Sequence, residues 1–132
     1  MTSVRELLNQ IKSKSDLDNV LKIHGPNYQD SEGNSFLHEF ARNGNVELMV
    51  HLFYIEGMEK CDVNIKDNKQ RTALFDALNE EIVEILLIQR IDYVSSDSQG
   101  KKAEEVNEYV NFVIKQKCNE TKKRIMLNIL GR

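Results

Sequence analysis

The sequence predicts an all-α protein built as a solenoid, a serial stack of helix–turn–helix units. Three observations predict it: two near-copies of one pattern lie in tandem, apolar residues recur at helical spacing inside each copy, and capping residues punctuate the stripes. The first copy begins at Asp30, reads D-S-E-G-N-S-F-L-H-E-F-A-R-N-G-N-V-E-L-M-V-H-L-F, and closes after an acidic loop with D-V-N-I-K. The second begins at Asp67 with D-N-K-Q-R-T-A-L-F-D-A-L, continues E-I-V-E-I-L-L and closes on Asp92.

At the N-terminus, Val4, Leu7, Leu8 and Ile11 stand at helical spacing behind Ser3. Ser15 is expected to cap a second helix holding Leu17, Val20, Leu21 and Ile23, which Gly25-Pro26 stops. Asp30-x-x-Gly33 signals a chain reversal, because an Asp side chain satisfies backbone two residues on and Gly tolerates positive φ. Ser35 then caps a helix carrying Phe36, Leu37, Phe40 and Ala41; Gly44 ends it in the left-handed manner, and Asn45 caps the next, with Val46, Leu48, Met49, Leu52 and Phe53 inward. In the second copy Thr72 takes the capping place. Leu74, Ala77 and Leu78 are expected to face inward, and Ile82, Val83, Ile85, Leu86 and Leu87 form the second helix. Asp97-Ser-Gln-Gly100 opens a third unit. Beyond it, Val106, Tyr109, Val110 and Val113 make one stripe, and Ile125, Met126, Ile129 and Leu130 another after Asn119. Two helices, or one long one, are expected there.

These segments resemble ankyrin repeats. Asp30, Gly33, Leu37, His38, Ala41, Gly44, Asp62, Val63 and Asn64 fall on the family pattern in the first copy, with Ser35 for Thr and Phe36 for Pro. The second copy keeps Asp67, Thr72, Leu74, Ala77, Glu81, Ile82, Val83, Leu86, Leu87 and Asp92, but carries Gln70 for Gly and Phe75 for His. Ankyrin units recur about every 33 residues. Asp30 to Asp67 spans 37 positions and Asp67 to Asp97 spans 30, and both departures are expected in loops. The resemblance implies an all-α ankyrin-repeat solenoid with degenerate terminal caps in a single domain, 1–132. Residues 1–29 would be an N-terminal capping helix pair, 30–66 and 67–96 repeats, and 97–132 a degenerate repeat with the C-terminal cap.

Composition and motifs weigh against chemistry. The chain has 132 residues, a net charge of −3 and 40% apolar content, so one core is expected. The first hundred residues carry ten Lys/Arg against seventeen Asp/Glu and the remainder eight against four, and such an acidic body disfavours broad nucleic-acid binding. His38-Glu39 lacks the second His of a zinc-protease helix, position 42 being Arg. Asp62-x-Asn64-x-Lys66 starts like a calcium loop, but Ala73 stands where the bidentate Glu is required. Cys61 and Cys118 have no metal spacing and fall short of a disulfide framework, so a reducing compartment is expected. No run is long and apolar enough to span a bilayer, and the N-terminus has no secretory apolar stretch. The expectation is a protein of the cytoplasm, and also the nucleus, without enzymatic activity, cofactor, metal, membrane or direct nucleic-acid partner, and monomeric when free.

The ankyrin resemblance implies a protein partner held by the turns between units and by the face of each unit's first helix. Carried onto this chain, the binding residues are Tyr28, Glu32, Asn34, Glu39, Arg42, Asn43, Ile65, Lys66, Asn68, Lys69, Arg71 and Asp76, with Tyr28, Arg42, Ile65 and Arg71 as anchors. His38 is implied as a turn-stabilising residue. The run G-N-S-F-L-H-E-F-A-R-N-G-N-V-E-L-M is most similar to the inhibitor-of-κB-like ankyrin proteins of insect viruses, the vankyrins. That likeness implies a Rel/NF-κB transcription factor as partner and suppression of host immune signalling. A generic adaptor for a cytoskeletal or signalling protein is the alternative.

Overall fold

Six polar side chains start six helices. Ser3, Ser13, Ser35, Asn45, Asn79 and Asn107 each accept a hydrogen bond from the backbone N–H three residues on, satisfying a donor that the helix itself leaves unpaired. The computed structural model describes residues 1–131, and its element order is α1 (Val4–Leu8), α2 (Lys14–His24), α3 (Phe36–Asn43), α4 (Val46–Tyr54), a 3-10 turn (Ala73–Asp76), α5 (Glu80–Ile88), α6 (Ala103–Val106) and α7 (Glu108–Leu130). Among the described residues there is no strand; isolated bridges join Gln29 to Ser35 and Ser96 to Lys102 at the base of two turns.

The helices pair and the pairs stack. α1 packs on α3 and α3 on the 3-10 turn, forming one layer; α2 packs on α4, α4 on α5 and α5 on α7, forming the other. The apolar stripes meet between the layers, where Leu17, Phe36, Leu37, Phe40, Met49, Leu52, Leu74, Ile82 and Leu86 are almost wholly buried. Phe36 and Phe40 stack with ring centres 6.5 Å apart. The all-α solenoid expected from the sequence is what the chain forms.

Gly44 shows how closely consecutive units approach. It adopts φ +69°, and a Cβ there would come within 2.8 Å of the Leu78 side chain of the next unit. Gly adopts this φ without a Cβ penalty, and any larger residue would also have to displace the tip of the Leu78 side chain.

Four details differ from expectation. Ser13, not Ser15, caps α2, because its hydroxyl reaches the Asp16 N–H. The second unit's first helix is a single 3-10 turn, and Thr72 makes no cap bond. The reason is length: Thr72 and Asn79 are three residues closer together than Ser35 and Asn45, one helical turn less. The deficit therefore falls in the helix rather than in a loop. Leu78, expected inward, is half exposed, because the chain has already left the turn in an extended conformation at Ala77. Finally, Asn119 starts no helix; it lies inside α7, a single helix from Glu108 to Leu130.

Candidate protein-interaction surface

Three turns project from the stack, and one carboxylate builds each. Asp30 Oδ1 accepts from the N–H groups of Glu32 and Asn34, Asp67 Oδ1 from those of Lys69 and Arg71, and Asp97 Oδ1 from those of Gln99 and Lys101, all at 2.9–3.1 Å. The bonds hold the Asp97 carboxyl below the usual carboxylate range, the Lys101 N–H contributing most. Each turn closes through a left-handed residue: Gly33, Gly100 and, in the second copy, Gln70 at φ +62°. Gln70 thus does what Gly does elsewhere, against the steric penalty of its Cβ.

The turns are bonded to one another. Asn68 donates its backbone N–H to the Glu32 carbonyl at 3.2 Å and its side-chain amide to the Ser31 carbonyl at 2.9 Å. Ser98 N–H donates to the Lys69 carbonyl at 2.9 Å. At Gly33 a Cβ would sit 2.6 Å from Asn68, so the first two turns are in backbone contact. Their tips form one ordered edge.

Behind the tips lies a polar network. His38 is fully buried; the Ser35 hydroxyl sits 2.7 Å from its Nδ1, and its Nε2 lies 2.8 Å from the Arg71 carbonyl. A carbonyl only accepts, so Nε2 carries the proton and Nδ1 accepts from Ser35. His38 therefore ties the first unit to the turn of the second, the role implied by resemblance. In the second unit Phe75 makes no such bond, and the Thr72 hydroxyl is buried without a partner. A different contact links that unit onward: Arg71 stacks over Phe75 at 5.4 Å and donates to Asp97 Oδ2 at 3.0 Å.

Glu39 and Arg42 extend the network along the inner layer. The Glu39 carboxylate, 3% exposed, accepts from Arg5 Nε at 3.0 Å, from the Asn34 amide at 2.8 Å and from Arg42. Arg42 donates onward to Asp76 Oδ2 at 3.1 Å. Burial pushes the Asp76 carboxyl up, opposed by Arg42, His38 and Arg71 and reinforced by Asp67. His38, Asp67 and Asp76 bring ligand atoms within 4.8 Å of one another. The Nδ1 lone pair of His38 is taken up by the Ser35 hydroxyl, Nε2 carries a proton, and Asp76 faces a guanidinium, so this cluster offers a cation no free imidazole lone pair.

The sequence-derived binding residues divide accordingly. Glu32, Asn34, Arg42, Asn68, Lys69, Arg71 and Asp76 line one open concavity of about 610 Å³. Arg5 lines it too; no local signal marks Arg5, which acts across 34 positions through Glu39. Lys66 and Asn43 are exposed outside it. Two residues are corrected as contacts: Ile65 is 7% exposed, its place after the Asp62 turn setting it inward, and Glu39 is spent on two guanidinium groups and an amide. Asn34 reaches the concavity with only its edge, being largely buried with its amide bonded to Glu39. Tyr28 is half-buried, its hydroxyl donating to the Thr2 carbonyl at 2.6 Å and its ring lying 4.9 Å from His24. The Cys61 thiol is pushed up to about 12 by burial and Asp62, which removes the thiolate that a nucleophile needs.

Stacked helix pairs with a bonded edge of turns and a polar concavity define a repeat protein of the class that binds other proteins. A family model for ankyrin repeats matches three copies over residues 2–97, and the chain belongs to the ankyrin-repeat family. No curated protein shows significant similarity to it.

Proposed function

We propose that the chain is a non-catalytic binding protein that holds a protein partner along the turn tips and the concavity behind them. The observation that carries the reading is the bonding between successive turns: with Asn68 fixed to Ser31 and Glu32, and Ser98 to Lys69, the tips meet a partner already ordered, and little conformational entropy is lost on binding. Lys66, Lys69 and Asn68 are exposed on that edge, and Arg42 and Arg71 lie behind it.

The finer reading is an inhibitor-of-κB-like protein acting on a Rel/NF-κB factor in cytoplasm and nucleus. It is supported by the likeness of the Gly33–Met49 run to viral proteins of that kind. An adaptor for a cytoskeletal or signalling protein is the alternative. Titration against a purified Rel-homology domain separates them. Micromolar or tighter binding, weakened about tenfold by Lys66→Glu with Lys69→Glu while the circular dichroism is unchanged, supports inhibition. Absence of binding at micromolar protein removes it and leaves the adaptor reading.

A further inference from the structure

The buried contacts of α7 end at Val113 and the half-buried Ile114; every residue from Lys115 to Leu130 is exposed. That stretch is a helical arm about 24 Å long at 1.5 Å per residue. It carries Lys115, Lys117, Lys122, Lys123 and Arg124 against Glu120 alone. Its apolar side chains are bare: Ile125, Leu127 and Leu130 are 50, 62 and 74% exposed. A helix of this length without a packed face is marginal in water.

The outer faces of α4 and α5 have the opposite character. Glu80, Glu81 and Glu84 are exposed there and neither helix contains a Lys or Arg, while Glu47 on α4 is already met by Lys14 of α2 at 3.7 Å. Beside these acids Tyr54 and Ile88 are 64 and 72% exposed. Gln89 donates to the Tyr54 hydroxyl at 2.7 Å, so the two faces are continuous. The arm continues the part of α7 that packs on α5, and its first turn sets Lys117 beside Glu84 and Ile88 of its own chain. The rest of the arm, exposed from Lys123 to Leu130, leaves Glu80 and Glu81 uncovered.

We propose that a second copy of this chain covers that face: each copy lays its basic arm across the acidic α4–α5 surface of the other, closing into a dimer. Opposite charge and bare apolar surface meet in that arrangement. Reciprocity means each copy contributes an arm and a face toward the roughly 800 Å² per partner of a stable interface. Two arms paired with each other would instead set lysine against lysine. A lipid surface fits less well, because Lys115 and Lys122 fall, at helical spacing, inside the stripe of Ile125, Met126 and Ile129 and interrupt it.

Light scattering on the full chain, at about 0.05 M salt where the Debye length exceeds roughly 10 Å, is the test. The wild type is expected as a dimer. Glu81→Lys with Glu84→Lys, and separately Lys122→Glu with Lys123→Glu, should each weaken self-association at least tenfold, all four positions being exposed. An equimolar mixture of the two charge-reversed proteins should recover the dimer. A monomeric wild type overturns the proposal, whether or not it sediments with phosphatidylserine vesicles. So does a dimer indifferent to Glu81 and Glu84, which would place the contact between the arms.

Discussion

At the scale of single residues, the same side-chain type acts in opposite senses according to its surroundings. Asp97 is buried, accepts from the Lys101 and Gln99 N–H groups and from Arg71, and titrates below the ordinary carboxylate range; Asp76 titrates above it, chiefly because it is buried. A depressed carboxyl contributes stability above its unfolded pKa, near about 3.9, and that contribution is lost as pH falls through the folded value. A raised carboxyl works the other way: its contribution is complete below the unfolded pKa and disappears as pH rises through the folded one. Asp97→Asn should therefore lower the thermal midpoint at pH 7, and the gap to wild type should narrow below about pH 4 as the wild-type carboxyl protonates. Melting curves from pH 3 to 7 check this. A gap constant across the range would mean that Asp97 acts through shape alone.

At the scale of elements, the second unit is the irregular one, and its defects are separable. Gln70 holds φ +62° where Gly33 and Gly100 hold the same turn without a Cβ. Gln70→Gly should stabilise the protein by up to about 1 kcal/mol, the order of the left-handed penalty, read as a higher urea midpoint at unchanged slope; a lower midpoint would show that the Gln side chain contributes contacts worth more than the strain. This unit also marks the limit of sequence reading. Ser35, Gly44, Asn45 and the stripes of α3 and α4 were legible because each signal acts within one helical turn of its partner. Thr72 carries the same capping chemistry but not the same spacing, and three missing residues turn a helix into a 3-10 turn with an orphaned hydroxyl. The polar network was less legible still. Arg5 meets Glu39 across 34 positions and Arg71 meets Asp97 across 26, and neither pairing follows from any local pattern. Glu39 looked like a surface residue for the same reason, since one of the groups that engages it, Arg5, comes from the neighbouring unit.

At the scale of the whole molecule, each unit is too small to bury its own apolar face, so stability resides in the junctions between units. Leu37 sits at such a junction, fully buried on α3, which packs on α1 to one side and on the 3-10 turn to the other. Truncating a buried Leu costs roughly 2–5 kcal/mol. The net stability of a small domain is about 5–15 kcal/mol, so this one cavity removes a large part of it. Because α3 touches both neighbours, the loss cannot be confined to one unit: Leu37→Ala should lower the denaturation midpoint in a single transition shared by α2, α5 and the packed part of α7. Leu127→Ala supplies the contrast. Leu127 is 62% exposed on the arm, so in dilute protein it should leave that transition where it was. Amide exchange followed by mass spectrometry under increasing urea distinguishes the outcomes. Joint loss of protection in α2 and α5 of Leu37→Ala is expected. Loss around α3 with α5 still protected would mean that the units fold independently, and that the bonds from Asn68 to the first turn and from His38 to Arg71 do not couple them.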